Sequence, residues 1–270
     1  MSTDLESRPK ADLGFIFASS VELNGFFDLL PKAKLTKGND LVYRSLLWDG
    51  KKIAAVESGY GEENVRRATE ALIDVFHPTR MISAGFASYL LAEGMDNFIQ
   101  AERFLLPNGE EIDFGQNALP HDPEKDDSFL DPFFEAVMEQ DPILAKKSNL
   151  PFEPLMSCEK DPSEKEGKEL AEKFHLELYD RESFWVAEVC RKAAIPLLAI
   201  RFVLGKKKKK ASSELKNIHK SSGSASRKFG AFLGALVREP KSLVDYYQDN
   251  MKTLVASDQI GILLRDLFKD

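Results

Sequence analysis

The chain has 270 residues, is 43% hydrophobic and 30% charged, and carries a formal net charge of −7 with a pI near 5.3. These values suit a soluble α/β protein with a sizeable core, and they exclude a surface that binds polyanions throughout. Two cysteines, Cys158 and Cys190, are too few for a disulfide framework or a zinc site.

Leu13 to Ala18 reads as a short buried strand. A helix follows from about Ser20, with Leu23, Phe26, Phe27 and Leu30 on one face. Leu41–Trp48 and Lys52–Glu57 read as two strands joined at Asp49-Gly50, a hairpin signal. Ser58-Gly59-Tyr60-Gly61 then turns into a helix whose Val65, Ala68, Leu72 and Phe76 repeat at helical spacing until Pro78. Arg80–Ala84 is predicted as a strand ending at Gly85, and Met95–Leu106 as mostly extended, with a turn at Asn108-Gly109. An acidic loop from about Asn117 to Asp127 leads into a helix from Ser128 to Lys147. Phe152–Ser157 and His175–Tyr179 are strand candidates flanking a helix over Ser163–Lys173, whose Ser163 and Glu166 fit a capping box. Glu182–Ala193 reads as a helix, Ile195–Leu204 as the most apolar strand, and helices follow around Arg227–Val237 and from Pro240.

Strands alternating with helices predict a three-layer α/β sandwich around a central mixed β-sheet. Without a linker or an internal repeat, residues 1–270 read as one domain with an acidic insertion at about 115–150 and C-terminal helices at about 225–270. The insertion carries eight acids between His121 and Asp141, and ten basic residues lie between Arg201 and Lys228, five of them the run Lys206 to Lys210. Solvated faces or loops account for such blocks most simply. Nucleic acid is an unlikely partner, because few aromatics accompany the lysines and the rest of the chain is acidic. No apolar run approaches the ~18 residues needed to span a membrane, and the first dozen residues do not resemble a signal peptide. A cytoplasmic location is therefore expected. His77, His121, His175 and His219 show no ligand spacing, so no metal and no cofactor are expected.

In open α/β folds ligands bind beyond the carboxyl ends of strands. Four strand ends stand out: Ser19, Ser20 and Glu22; Ser58 to Gly61; Gly85 to Ser88; and Tyr179 to Ser183. Singly, each has a structural explanation in turn geometry or helix-dipole chemistry. In this order, however, they resemble the nucleoside phosphorylase and nucleosidase superfamily. The nearest likeness is to enzymes that cleave methylthioadenosine and adenosylhomocysteine, and to hopanoid-associated phosphorylases. The opening strand and its Glu are echoed up to Glu22, the "S-G-x-G" turn by Ser58 to Gly61, the "GSAGGL" segment by Ser83 to Leu90, and the "D/E-M-E-S/A" motif by Asp180-Arg181-Glu182-Ser183.

The resemblance implies cleavage of an N-glycosidic bond, by water or by phosphate as co-substrate, in a small-molecule nucleoside, and a homodimeric assembly. It implies Glu182 as the carboxylate on the ribose hydroxyls and Glu22 as the catalytic base. Phe86, Tyr179 and Arg181 become candidate base or sugar contacts, with Ser19, Gly59, Gly61 and Gly85 as pocket turns. The chain departs from the family pattern where the strand ends "R-x-x-S-D". Here Arg201 to Gly205 places Leu204 and Gly205 at the last two positions, so the acid that protonates the base is missing at Gly205. Three readings stay open: an enzyme with a replacement acid, such as a nearby lysine or Asp180; a nucleoside-binding relative with impaired catalysis; and a polyanion-binding protein using the lysines.

Overall fold

The structure is a computed structural model, and it describes residues 10–91, 94, 96–114, 150–205 and 240–269, with only the backbone for 240–251. The acidic insertion with its predicted helix, the lysine run and the predicted helix over 227–237 lie outside the described residues. By compactness the chain, read from sequence as one domain, groups into one unit of 1–205 with 257–270 and a second of 206–256.

The first unit contains, in chain order, β1 (Leu13–Phe17), α1 (Ser20–Phe27), β2 (Lys34–Gly38), β3 (Leu41–Trp48), β4 (Lys51–Glu57), α2 (Glu62–Phe76) and β5 (Arg80–Tyr89). After these come β6 (Asn97–Ala101), β7 (Arg103–Leu105), β8 (Glu111–Asp113), β9 (Leu155–Ser157), α3 (Glu164–Phe174), β10 (Leu178–Asp180), α4 (Ser183–Lys192) and β11 (Leu197–Leu204). The helix α5 (Pro240–Phe268) begins in the second unit and ends in the first.

These strands form one mixed sheet in the order β2-β3-β4-β1-β5-β10-β9-β7-β8, with β11 paired to β5 and β6. β1, β4, β5 and β11 are mutually parallel, so their carboxyl ends share one edge. β1 is buried along its whole length, as expected of a parallel strand covered on both faces. Its alternate side chains serve the two faces. Phe15 packs 4.9 Å from Phe26 of α1 and edge-on, at 5.5 Å, to Phe268 of α5. Ile16 belongs instead to the core shared with Val65, Ala68 and Leu72 of α2 and with Val186 and Cys190 of α4. The expected three-layer sandwich results.

Gly25 and Gly261 let α1 and the end of α5 touch backbone to backbone, since a Cβ on either would overlap the other helix. Ser257 Oγ adds a hydrogen bond of 2.5 Å to the Val21 carbonyl. α1, which carries Glu22, is thereby clamped between the sheet and α5.

Two elements differ instructively from the sequence reading. β2 pairs with β3 through a turn at Asn39 and Asp40, both at positive φ, a hairpin without the glycine that would flag it. β5 does not end at Gly85 but runs on to Tyr89, because β11 pairs with it from Met81 through Ser88. Gly85 is thus a mid-strand residue rather than a turn.

Candidate active site

Glu22 is the third residue of α1, and Ser19 is its N-cap. The Ser19 N–H and Oγ–H both donate to Glu22 Oε2 at 2.8 Å, and Ser19 Oγ accepts from the Glu22 N–H at 3.4 Å, which completes a capping box. The other oxygen, Oε1, accepts from the Phe86 N–H at 3.0 Å. One carboxylate therefore caps a helix and ties it to the middle of β5. It is 1% exposed, and burial pushes its pKa up against the lowering pull of these donors and of the Arg201 guanidinium.

Glu182 occupies the N-cap position of α4 but makes no capping bond with its side chain. Asp180 does that work from two residues upstream: its Oδ1 accepts from the Glu182 N–H at 3.3 Å, and both its oxygens accept from the Ser183 N–H at 3.2 Å. The Glu182 carboxylate is released to face Glu22. Gly85 marks the meeting point. A Cβ there would lie 2.6 Å from Glu22 Oε1 and 3.4 Å from Glu182 Oε1.

Beneath the two glutamates lies Arg201, wholly buried in mid-β11. Its five N–H donors are matched by five acceptors. Nε donates to Asp180 Oδ2 at 2.9 Å, Nη1 to the Ser83 and Ile200 carbonyls at 2.9 Å each, and Nη2 to Ser83 Oγ at 2.8 Å and Ser183 Oγ at 2.6 Å. Nη2 is also 3.6 Å from Glu182 Oε1. Asp180 further accepts from Ser157 Oγ at 2.7 Å and from the Ser183 hydroxyl. This saturated arrangement makes Asp180 the counter-ion of Arg201 and the cap of α4.

Three buried acids, Glu22, Asp180 and Glu182, thus share one buried guanidinium. The deficit falls on Glu182: burial and the Asp180 charge raise its pKa well above the ordinary carboxylate range, while Arg201 pulls it down only in part.

The remaining candidate residues divide. Gly59 and Gly61 both hold positive φ, with 4 Å of open space around the Cβ position at Gly61, so they serve the backbone path of the turn. That turn is pinned when the Gly61 N–H donates to the Arg181 carbonyl at 3.4 Å. Phe86 contributes its backbone N–H to the cluster. Arg181 stacks 5.0 Å over the Tyr60 ring and donates to the Glu159 carbonyl at 2.7 Å. Tyr179 is not brought to the carboxylates; it packs against the cluster of Leu90, Leu105, Met156, Cys158 and Leu176, as strand alternation requires of the neighbour of Asp180.

Tyr60, which the sequence does not single out as a site candidate, lies under the Arg181 guanidinium. The residue is 45% exposed, yet burial together with the Glu22 charge pushes its pKa up to about 12. Its place between the two turn glycines was the available signal. Two clefts, one of about 660 Å³ beside Ser157 and Trp185 and one of about 380 Å³ beside Ser58 and Gly59, are lined by neither glutamate. Arg66 is held by Glu62 and Glu188. Among the described residues no group of three or more His, Cys, Asp and Glu is placed to hold a metal ion, and no helix is long and apolar enough to cross a membrane.

A mixed sheet in which β1 and β10, one parallel and one antiparallel to β5, bring two glutamates to one point over a buried arginine defines a phosphorylase-type α/β architecture. Residues 12–238 match the sequence profile of the phosphorylase superfamily, and the chain belongs to that superfamily. No curated protein sequence matches significantly. Solved structures agree on the fold. The methylthioadenosine/adenosylhomocysteine nucleosidase of Campylobacter jejuni superposes with a TM-score of 0.63 at 12% identity, over 95% of this chain and 98% of that one. A putative enzyme of the same type from Francisella philomiragia gives 0.61 at 14% identity, over 94% and 97%. Futalosine hydrolase of Helicobacter pylori gives 0.56 at 16% identity, over 71% and 83%.

Proposed function

We propose that this protein cleaves the N-glycosidic bond of a nucleoside, with Glu182 holding the ribose hydroxyls and Glu22 activating the nucleophile. The observation that carries the reading is the pair of carboxylates converging on Gly85 with more negative charge than Arg201 balances. A departing base leaves positive charge on the sugar, and a fixed, water-excluded surplus of negative charge favours such a transition state over the neutral substrate. The same crowding of buried negative charge raises the pKa of both glutamates in the free protein.

Water is the nucleophile we favour. Arg201 is consumed by Asp180 and Arg66 by Glu62 and Glu188, which leaves neither for a phosphate. Similarity to the nucleosidases supports this choice at the level of fold. A second reading, a nucleoside-binding member without turnover, is favoured by Gly205, which carries no acid where the family pattern has one.

The test is incubation of purified protein with methylthioadenosine, adenosylhomocysteine, adenosine, inosine and uridine, with and without phosphate, following released base by chromatography. Base release independent of phosphate is expected. Measurable binding without base release from any of them would select the second reading.

A further inference from the structure

Gly205 follows β11 directly, at the sheet edge where the carboxyl ends of β1 and β5 also emerge. The space beside it is not empty. A Cβ on Gly205 would lie 2.7 Å from the Gly94 carbonyl and 3.1 Å from Asp96 Oδ1. The chain just ahead of β6 therefore fills the volume that a side chain at 205 would take, and it brings a carboxylate there.

The placement is built into the sheet. β6 runs antiparallel to β11 with Asn97 opposite Val203 and Phe98 opposite Phe202, so residue 96 falls against the end of β11. Phe98 and Phe202 lock that register with an edge-to-face contact at 4.9 Å. Asp96 Oδ1 then accepts the Gly205 N–H at 2.7 Å, fixing one carboxylate oxygen in place.

We propose, resting on the nucleosidase reading above, that Asp96 is the general acid, supplying from β6 the carboxyl group that position 205 lacks. The Asp96 carboxyl gives its proton to a ring nitrogen of the base as the bond to the anomeric carbon breaks, and the electron pair of that bond leaves with the base. Water adds to the anomeric carbon and its proton passes to Glu22. Both carboxyl groups then return to their starting states by exchange with solvent, to which Asp96 is exposed. A glycine at 205 is the fitting partner, since any larger residue would collide with the Gly94 carbonyl.

Asp96→Asn isolates the acid, because the asparagine Oδ1 can still accept from the Gly205 N–H while the side chain no longer carries a transferable proton. On the purine nucleoside the protein cleaves best, kcat is expected to fall about 10²–10⁴-fold with KM little changed. On the N7-methylated form of that nucleoside, whose base departs without needing a proton, the variant should keep wild-type kcat. An unchanged melting temperature would confirm that the fold is intact. Equal losses on both substrates, or wild-type kcat on both, would overturn the role of Asp96 while leaving the nucleosidase reading standing. A wild-type protein that cleaves neither would overturn both.

Discussion

Gly85→Ala tests the site with a single methyl group. Gly85 is in extended backbone within β5 and needs no positive φ, so alanine fits the strand. The new Cβ would start 2.6 Å from Glu22 Oε1, and ordinary contact begins near 3.4 Å. Glu22 must therefore retreat by about 0.8 Å, as the end of a side chain can, stretching or losing the 3.0 Å bond from the Phe86 N–H. A misplacement of that size costs about 10²-fold in rate, whereas crowding of this kind costs about 1–3 kcal/mol of stability. Base-release kinetics alongside urea unfolding should show a crippled enzyme that still folds. Wild-type kcat/KM in a well-folded Gly85→Ala would refute the claim that both glutamates act at this point.

Three further outcomes follow from the charge balance. Burial raises the folded-state pKa of Glu182 above its unfolded value of 4.5, so the group favours folding below about pH 4.5 and this contribution is lost as pH rises through the raised value. Glu182→Gln should accordingly melt higher than wild type at neutral pH, by a margin that shrinks on acidification; a margin independent of pH would contradict the shift. Arg201→Met leaves Asp180 buried without its counter-ion and should cost about 3–5 kcal/mol, read from the urea midpoint, whereas a loss under about 1 kcal/mol would mean that the pair is not a unit. Burial, helped by Asp180, pushes the Cys158 thiol up to about 12, and burial alone pushes Cys190 higher still. Neither thiol should react with a thiol reagent at neutral pH until the protein is denatured, and fast labelling of the native protein would contradict their burial.

The sequence by itself determined the local pieces, because capping, turn chemistry and side-chain periodicity act within a few residues. Ser163 and Glu166 form the capping box their spacing predicts, and Asp49 and Gly50 adopt the positive φ that joins β3 to β4. The collinear order of the strand ends made the superfamily legible, and with it the candidacy of Glu22 and Glu182. Tertiary structure decided what those residues meet. Glu22 and Glu182 converge only because β1 and β10 both lie against β5, a choice of non-local pairing that no short window encodes. Asp180, a candidate acid by position, is committed as the partner of Arg201 by burial and by the donors around it. Asp96, unremarkable in the sequence, stands at Gly205 because β6 runs antiparallel to β11. Strand register carried a carboxylate across to a position whose own residue has no side chain.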